Sequence, residues 1–221
     1  MEGIEMKNIK TVIFDYDGTL HNSTRIYADA FRQVYDRMVY DGVAPKRQFT
    51  DDEITIWLGY SAQDMWQAFM PELSMRDQMY YSKEIGQIMT LKIKNKQAVL
   101  YDGALETLSY LRDKGYHVLY LSNCGHQFMS MHAEVFHLHD YFEHMYCSGD
   151  YDNKPKYEIF NIIKEQYPGE YLMVGDRFHD MEIAKYHKIY TAGCSYGFGR
   201  QHEIEHADVI LNDIRDLQKL L

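Results

Sequence analysis

Two aspartates stand two residues apart in Phe14-Asp15-Tyr16-Asp17-Gly18-Thr19-Leu20, directly after an apolar run. Alternate residues of an extended chain point to one side, so both carboxylates can face one site. Such a pair suits phosphoryl transfer, in which one carboxylate attacks phosphorus and the other handles the leaving-group proton. Gly18 and Thr19 permit a tight turn and offer backbone N–H groups and a hydroxyl to a phosphate. An isolated Asp-x-Asp-Gly is also an ordinary turn with capping carboxylates. Its position after Thr-Val-Ile-Phe favours the chemical reading, because that run reads as a buried parallel strand. Ligand sites of open parallel sheets lie at the carboxyl ends of the strands.

Three further segments repeat this placement. Leu121-Ser122-Asn123 closes a second apolar run, where the Ser122 hydroxyl and the Asn123 N–H can hold phosphate oxygens. Lys154 precedes a helical pattern beginning at Tyr157 and can offset repulsion between a phosphate and Asp15. Lys156 is its rival two positions on. Val174-Gly175-Asp176-Arg177-Phe178-His179-Asp180 again ends an apolar run and opens a helix. Asp176 and Asp180 are four apart and can share a helical face. Their hard oxygens suit Mg²⁺, which takes few protein ligands and keeps waters. Arg177 can pair with a nearby acid, and His179 is expected at the surface. His132, His137, His139 and His144 follow a helix and loop and read as solvated, not as a metal cluster.

Positioning these groups requires alternating strands and helices. Apolar runs at 10–14, 116–121, 145–148, 171–174, 189–193 and 209–211 read as strands, with helical patterns between them. The expected architecture is α/β: a Rossmann-like parallel sheet with helices on both faces. Residues 22–99 break the alternation and read as helices only. Ile26, Ala30, Val34 and Met38 recur every fourth residue before Gly42, Thr50 to Glu53 is a capping box, and Ser61 and Ser74 can open two more helices. The expected division is a catalytic core of 1–21 and 100–221 with a helical insert of 22–99. The many aromatics of the insert are expected to pack a small core of their own.

The 221 residues carry 33 Asp and Glu against 23 Lys and Arg, a formal charge of -10. That balance argues against nucleic acid or a membrane surface as partner. An acidic chain that handles an anion must invert the field locally, with a metal, a helix N-terminus or a placed lysine. Cys124, Cys147 and Cys194 are odd in number and widely spaced, so they read as neither a disulfide framework nor a zinc site. The N-terminus MEGIEMKNIK has no apolar signal core and no run is long enough to span a bilayer, so a cytoplasmic location is expected.

The joint placement of Asp, Ser, Lys and Asp at successive strand ends resembles the haloacid dehalogenase superfamily of phosphatases. The resemblance spans 10–20 and 100–221. It implies that Asp15 is the nucleophile, Asp17 the general acid/base, Ser122 the phosphate-binding hydroxyl, Lys154 the lysine, Asp176 the metal-binding acid and Asp180 its supporting acid. It further implies Mg²⁺ held by Asp15, the backbone carbonyl of Asp17, and Asp176. Tyr196-Gly197-Phe198-Gly199, His206-Ala207-Asp208-Val209-Ile210 and the Gly-Asp-Arg-x-His-Asp form of the fourth motif resemble the phosphoglycolate-phosphatase branch, whose insert is a cap that closes over the site. His21-Asn22-Ser23 departs from the Asp-Ser pair usual there. The reaction expected is hydrolysis of a small phosphorylated metabolite through an aspartyl phosphate. Sugar phosphates, nucleoside monophosphates and pyrophosphate stay open as substrates. Mutase chemistry and a non-enzymatic interaction role are the rivals, the latter disfavoured by the intact acidic set.

Overall fold

The six apolar runs form one six-stranded sheet in which every pairing is parallel. The computed structural model describes Met6 and residues 8–221, so most of the segment read for a signal core lies outside the described residues. Strand β1 is Ile9–Phe14. The helices α1 (Thr24–Tyr40), α2 (Asp51–Thr55), α3 (Ala62–Phe69) and α4 (Met75–Lys94) follow. Alternation then resumes with α5 (Ala104–Asp113), β2 (His117–Ser122), α6 (His126–Phe136), β3 (His144–Cys147), α7 (Lys156–Gln166) and β4 (Glu170–Gly175). The chain ends with α8 (Phe178–His187), β5 (Tyr190–Cys194), α9 (Gln201–Ile204), β6 (Val209–Leu211) and α10 (Leu217–Leu220).

The strand order is β3-β2-β1-β4-β5-β6, a doubly wound arrangement with β1 and β4 at its centre. Parallel neighbours need crossovers long enough to hold a helix, which is why the helices alternate with the strands. The sheet buries both faces. Val12, Phe14, Val118, Tyr120, Leu172 and Val174 enter one core cluster, whereas Ile13, Leu119, Leu121 and Met173 enter another with Ile159, Phe160 and Ile163 of α7. Continuous apolar strands, not alternating ones, are the expected consequence.

The described residues divide into two compact units, Met1–Asn22 with Leu100–Leu221, and Ser23–Val99. In the first unit, the chain leaves and re-enters at one point: His21 and Leu100 form an antiparallel bridge, and Tyr101 N–H donates to the Leu20 carbonyl at 2.8 Å.

Three of the four helices of the second unit, α2, α3 and α4, open on capping side chains. Thr50 and Glu53 form a reciprocal capping box, with Thr50 N–H 2.9 Å from Glu53 Oε2. Ser61 and Ser74 accept from the N–H groups of Asp64 and Asp77. Its core gathers Phe31, Tyr35, Phe49 and Phe69 edge to face, with Phe69 against the fully buried Trp66, whose Nε1 donates to Ser82 Oγ at 2.6 Å. Tyr80 stays largely exposed. Among the described residues, no helix is long and apolar enough to cross a membrane.

Leu108 of α5 is fully buried in the core that carries β1 and β4. Leu108→Ala is expected to lower unfolding free energy by roughly 2–5 kcal/mol, read as a shifted urea midpoint with unchanged slope.

Candidate active site

At the carboxyl ends of the central strands the sequence delivers charge into a nearly dry environment. Asp15 follows β1 and is only 4% exposed, its N–H fixed to the Val174 carbonyl at 2.9 Å. Asp176 follows β4, and Asp180 lies in the first turn of α8; both are fully buried. Asp176 precedes the helix, so the two acids do not share a helical face as the spacing suggested. The turn nevertheless brings carboxylate oxygens of Asp15, Asp176 and Asp180 within 4.8 Å of one another.

The cation that meets them is Lys156. Its Nζ lies 2.6 Å from Asp15 Oδ1 and 2.6 Å from Asp180 Oδ1. Lys154, the residue expected here, is exposed in the turn before α7, its N–H donating to the Tyr151 carbonyl. The reason is helical geometry: Lys156 opens α7 on the same inward stripe as Ile159, Phe160 and Ile163. That spacing of one, four, five and eight was the signal in the sequence that separates the two lysines.

The electrostatics follow from burial. Desolvation pushes the Asp15 carboxyl well above its ordinary range, Asp180 and Asp176 add to this, and Lys156 opposes it. Burial alone would drive Lys156 down, but Asp15 and Asp180 outweigh it and hold the ammonium above its usual value. Asp176 is pushed up to about 7, first by burial and then by Asp180, despite N–H donors from Phe198 and Gly199. Those two donors reach Asp176 Oδ2 at 2.6 and 3.0 Å. They explain the Gly-Phe-Gly tail: a Cβ on Gly197 or Gly199 would overlap Asp176 itself. Gly18 presses on the same carboxylate, at φ +86°, a left-handed conformation.

Asp17 is the more open acid of the pair, its side chain 17% exposed. Its Oδ1 lies 2.8 Å from Nδ1 of the fully buried His21. His21 stacks on Tyr16, and the Tyr16 hydroxyl lies 2.7 Å from Nδ1 of His132. His132 is therefore not a solvated histidine: it is fully buried, and burial followed by the neighbouring His21 pushes it down to about 3. His137, His139 and His144 are exposed as expected, while His179 is half-buried. The sequence marked His21 only as a departure from a pattern, since its partner Asp17 comes into reach only once the Gly18 turn closes.

Ser122 ends β2, 3% exposed, one strand across from the Asp15 position. Asn123 follows it, half-buried. Gly18 and Thr19 shape the turn but spend their N–H groups inside it, on the carbonyls of His21 and Tyr16. Arg177 pairs with Glu203 at 2.9 Å.

A divalent cation fits this donor set on the structure's own terms. Three buried carboxylates face one ammonium, and Asp176 Oδ1 is buried with no hydrogen-bond partner. An orphaned carboxylate oxygen beside two others offers what a hard cation takes.

The chain is similar to proteins of one hydrolase family. Residues 12–194 match the family model for haloacid dehalogenase-like hydrolases. The pyrophosphatase PpaX of Bacillus pumilus is 28% identical over 95% of this chain and 94% of its own. A phosphoglycolate phosphatase of Vibrio vulnificus is 27% identical over 92% and 89%. The crystal structure of a predicted phosphatase from Clostridium acetobutylicum superposes with a TM-score of 0.81 at 22% identity, covering 96% of this chain and 97% of that one, which shows a shared fold. The chain belongs to the haloacid dehalogenase-like hydrolase family.

The raised Asp176 carboxyl carries a pH signature. Its unfolded value is the ordinary 3.8 and its folded value about 7. Between them the native state holds a proton that the unfolded chain has released, so this contribution to stability is full below 3.8 and lost as pH rises through about 7. The stability of the chelator-treated wild-type chain relative to Asp176→Asn, read from urea midpoints, is expected to fall between pH 5 and pH 7.5, a comparison that cancels the opposite contribution of His132.

Proposed function

We propose that the chain is a Mg²⁺-dependent phosphatase that hydrolyses a small phosphorylated metabolite of the phosphoglycolate type through an aspartyl phosphate. The observation that carries this reading is the buried contact of Asp15 with Lys156 beside Asp176 and Asp180. Family membership and the phosphatase names of full-length relatives support it.

In this reading Asp15 attacks phosphorus in line. Its carboxylate oxygen forms the new P–O bond as the bond to the leaving oxygen breaks, and Asp17 gives that oxygen a proton. Asp17 then takes a proton from water, which attacks the phosphoryl group, expels Asp15 and releases inorganic phosphate. Ser122 and the Asn123 N–H hold phosphoryl oxygens. Lys156 favours the charged form of Asp15 against burial and steadies it through Asp180. Asp15, the Asp17 backbone carbonyl and Asp176 would hold Mg²⁺, with Asp180 in support. When bound, the cation supplies positive charge that keeps the buried carboxylates ionised and offsets charge on the phosphoryl group. His21 positions the Asp17 carboxyl. The reacting groups all belong to the α/β unit. A reducing, cytoplasmic setting suits the three free thiols. Pyrophosphate is the second substrate reading, favoured by the relatives named pyrophosphatase PpaX.

A screen of phosphorylated metabolites with Mg²⁺ should show release of phosphate from an aryl phosphate and from at least one of phosphoglycolate and pyrophosphate. Asp15→Asn is expected to remove that release while keeping the circular dichroism of the fold. Activity surviving in Asp15→Asn sinks the nucleophile assignment. His21→Ala should separate leaving groups. Alkyl phosphates, which need the proton from Asp17, are expected to lose roughly tenfold or more in kcat/KM, and p-nitrophenyl phosphate much less. Equal losses on both would leave His21 with a structural role alone.

A further inference from the structure

A second cluster of ligating atoms stands apart from the carboxylate site, at the ends of β2 and β3. His126 opens α6, Cys147 ends β3, and Asp150 lies in the turn that follows. Their ligand atoms lie within 4.8 Å of one another. Asp150 Oδ2 sits between the other two, 2.9 Å from His126 Nδ1 and 3.3 Å from Cys147 Sγ. The thiol donates to the carboxylate there.

We propose that His126, Cys147 and Asp150 bind a borderline divalent cation of the zinc type. The donor set distinguishes this site from the first. One thiolate, one imidazole and one carboxylate suit zinc, whereas three carboxylates suit Mg²⁺. Tetrahedral bonds of about 2.1 Å to nitrogen and oxygen and about 2.3 Å to sulfur make donor–donor edges of roughly 3.3–3.6 Å. The two edges on Asp150 are therefore short of that face by only a few tenths of an ångström. A cation replacing the thiol proton would spread them by that amount.

The cluster is also assembled before any cation arrives. Gly149 N–H donates to the Cys124 carbonyl at 3.1 Å, and a Cβ on Gly149 would fall 2.8 Å from Gly125 Cα, so the two loops are packed backbone to backbone. Cys147 is fully buried and held in the sheet register opposite Ser122. His126 and Asp150 are open to solvent, with side chains 65% and 38% exposed, which gives a cation its way in.

The test uses the full chain, stripped with chelator and titrated with Co²⁺ in excess Mg²⁺. Mg²⁺ fills the carboxylate cluster, and only ligation by sulfur gives a thiolate-to-cobalt charge-transfer band. About one equivalent of Co²⁺ should produce that band, and Zn²⁺ should bleach it. Cys147→Ser should abolish it, and Asp150→Ala, at an exposed position that spares the fold, should weaken Co²⁺ affinity roughly tenfold or more. Circular dichroism of each variant confirms folding. No band in the wild-type chain, a band retained in Cys147→Ser, or unchanged affinity in Asp150→Ala overturns the proposal. Phosphatase activity is not the readout, so this outcome is independent of the first site.

Discussion

Everything at the head of the sheet is arranged around Lys156, a fully enclosed ammonium wedged between Asp15 and Asp180. One buried cation among three buried carboxylates leaves the cluster two negative charges in excess if all ionise. Removing ions from water is costly, and an ion pair repays that cost only when geometry and further hydrogen bonds are good. Here Asp180 also accepts from the Arg177 N–H, and Asp176 accepts from two backbone donors. The remaining deficit appears as the raised carboxyls of Asp15 and Asp176. A carboxylate left in this condition has a strong preference for a divalent partner.

The glycines are the backbone counterpart of that charge arrangement. Gly18, Gly197 and Gly199 close on Asp176 so tightly that a Cβ at any of them would meet its atoms. The glycines on either side of Phe198 leave room for the Phe198 and Gly199 N–H groups to reach the buried carboxylate. The Gly-Phe-Gly tail thus does electrostatic work, although its residues carry no charge.

Much of this was legible in the sequence because it is local. Apolar runs that stop at a carboxylate became strands β1 and β4, and the serine and threonine starts of the insert became caps. What escaped depends on distant partners or on helix phase. Lys154 and Lys156 flank the start of α7, and only the inward stripe of that helix decides between them. His132 looks like a surface histidine by neighbourhood, yet it is enclosed beside Tyr16 and His21. Cys124 and Cys147 are far apart in sequence and read as unrelated, but β2 and β3 are sheet neighbours that bring their loops into contact.

The bridge between His21 and Leu100 gives the insert an unusual independence. The α/β unit is closed at that point by its own hydrogen bonds, so the 77 residues between Asn22 and Leu100 form a loop whose ends already touch. The entropy cost of holding a loop's ends together grows only slowly with its length, by about 0.6 kcal/mol per doubling. A lineage could therefore lengthen, shorten or exchange the helical module without disturbing the strand ends. His21 is the exception, because it belongs both to that junction and to the hydrogen-bonding sphere of Asp17. Exchange at the junction is free only as long as this one residue is kept.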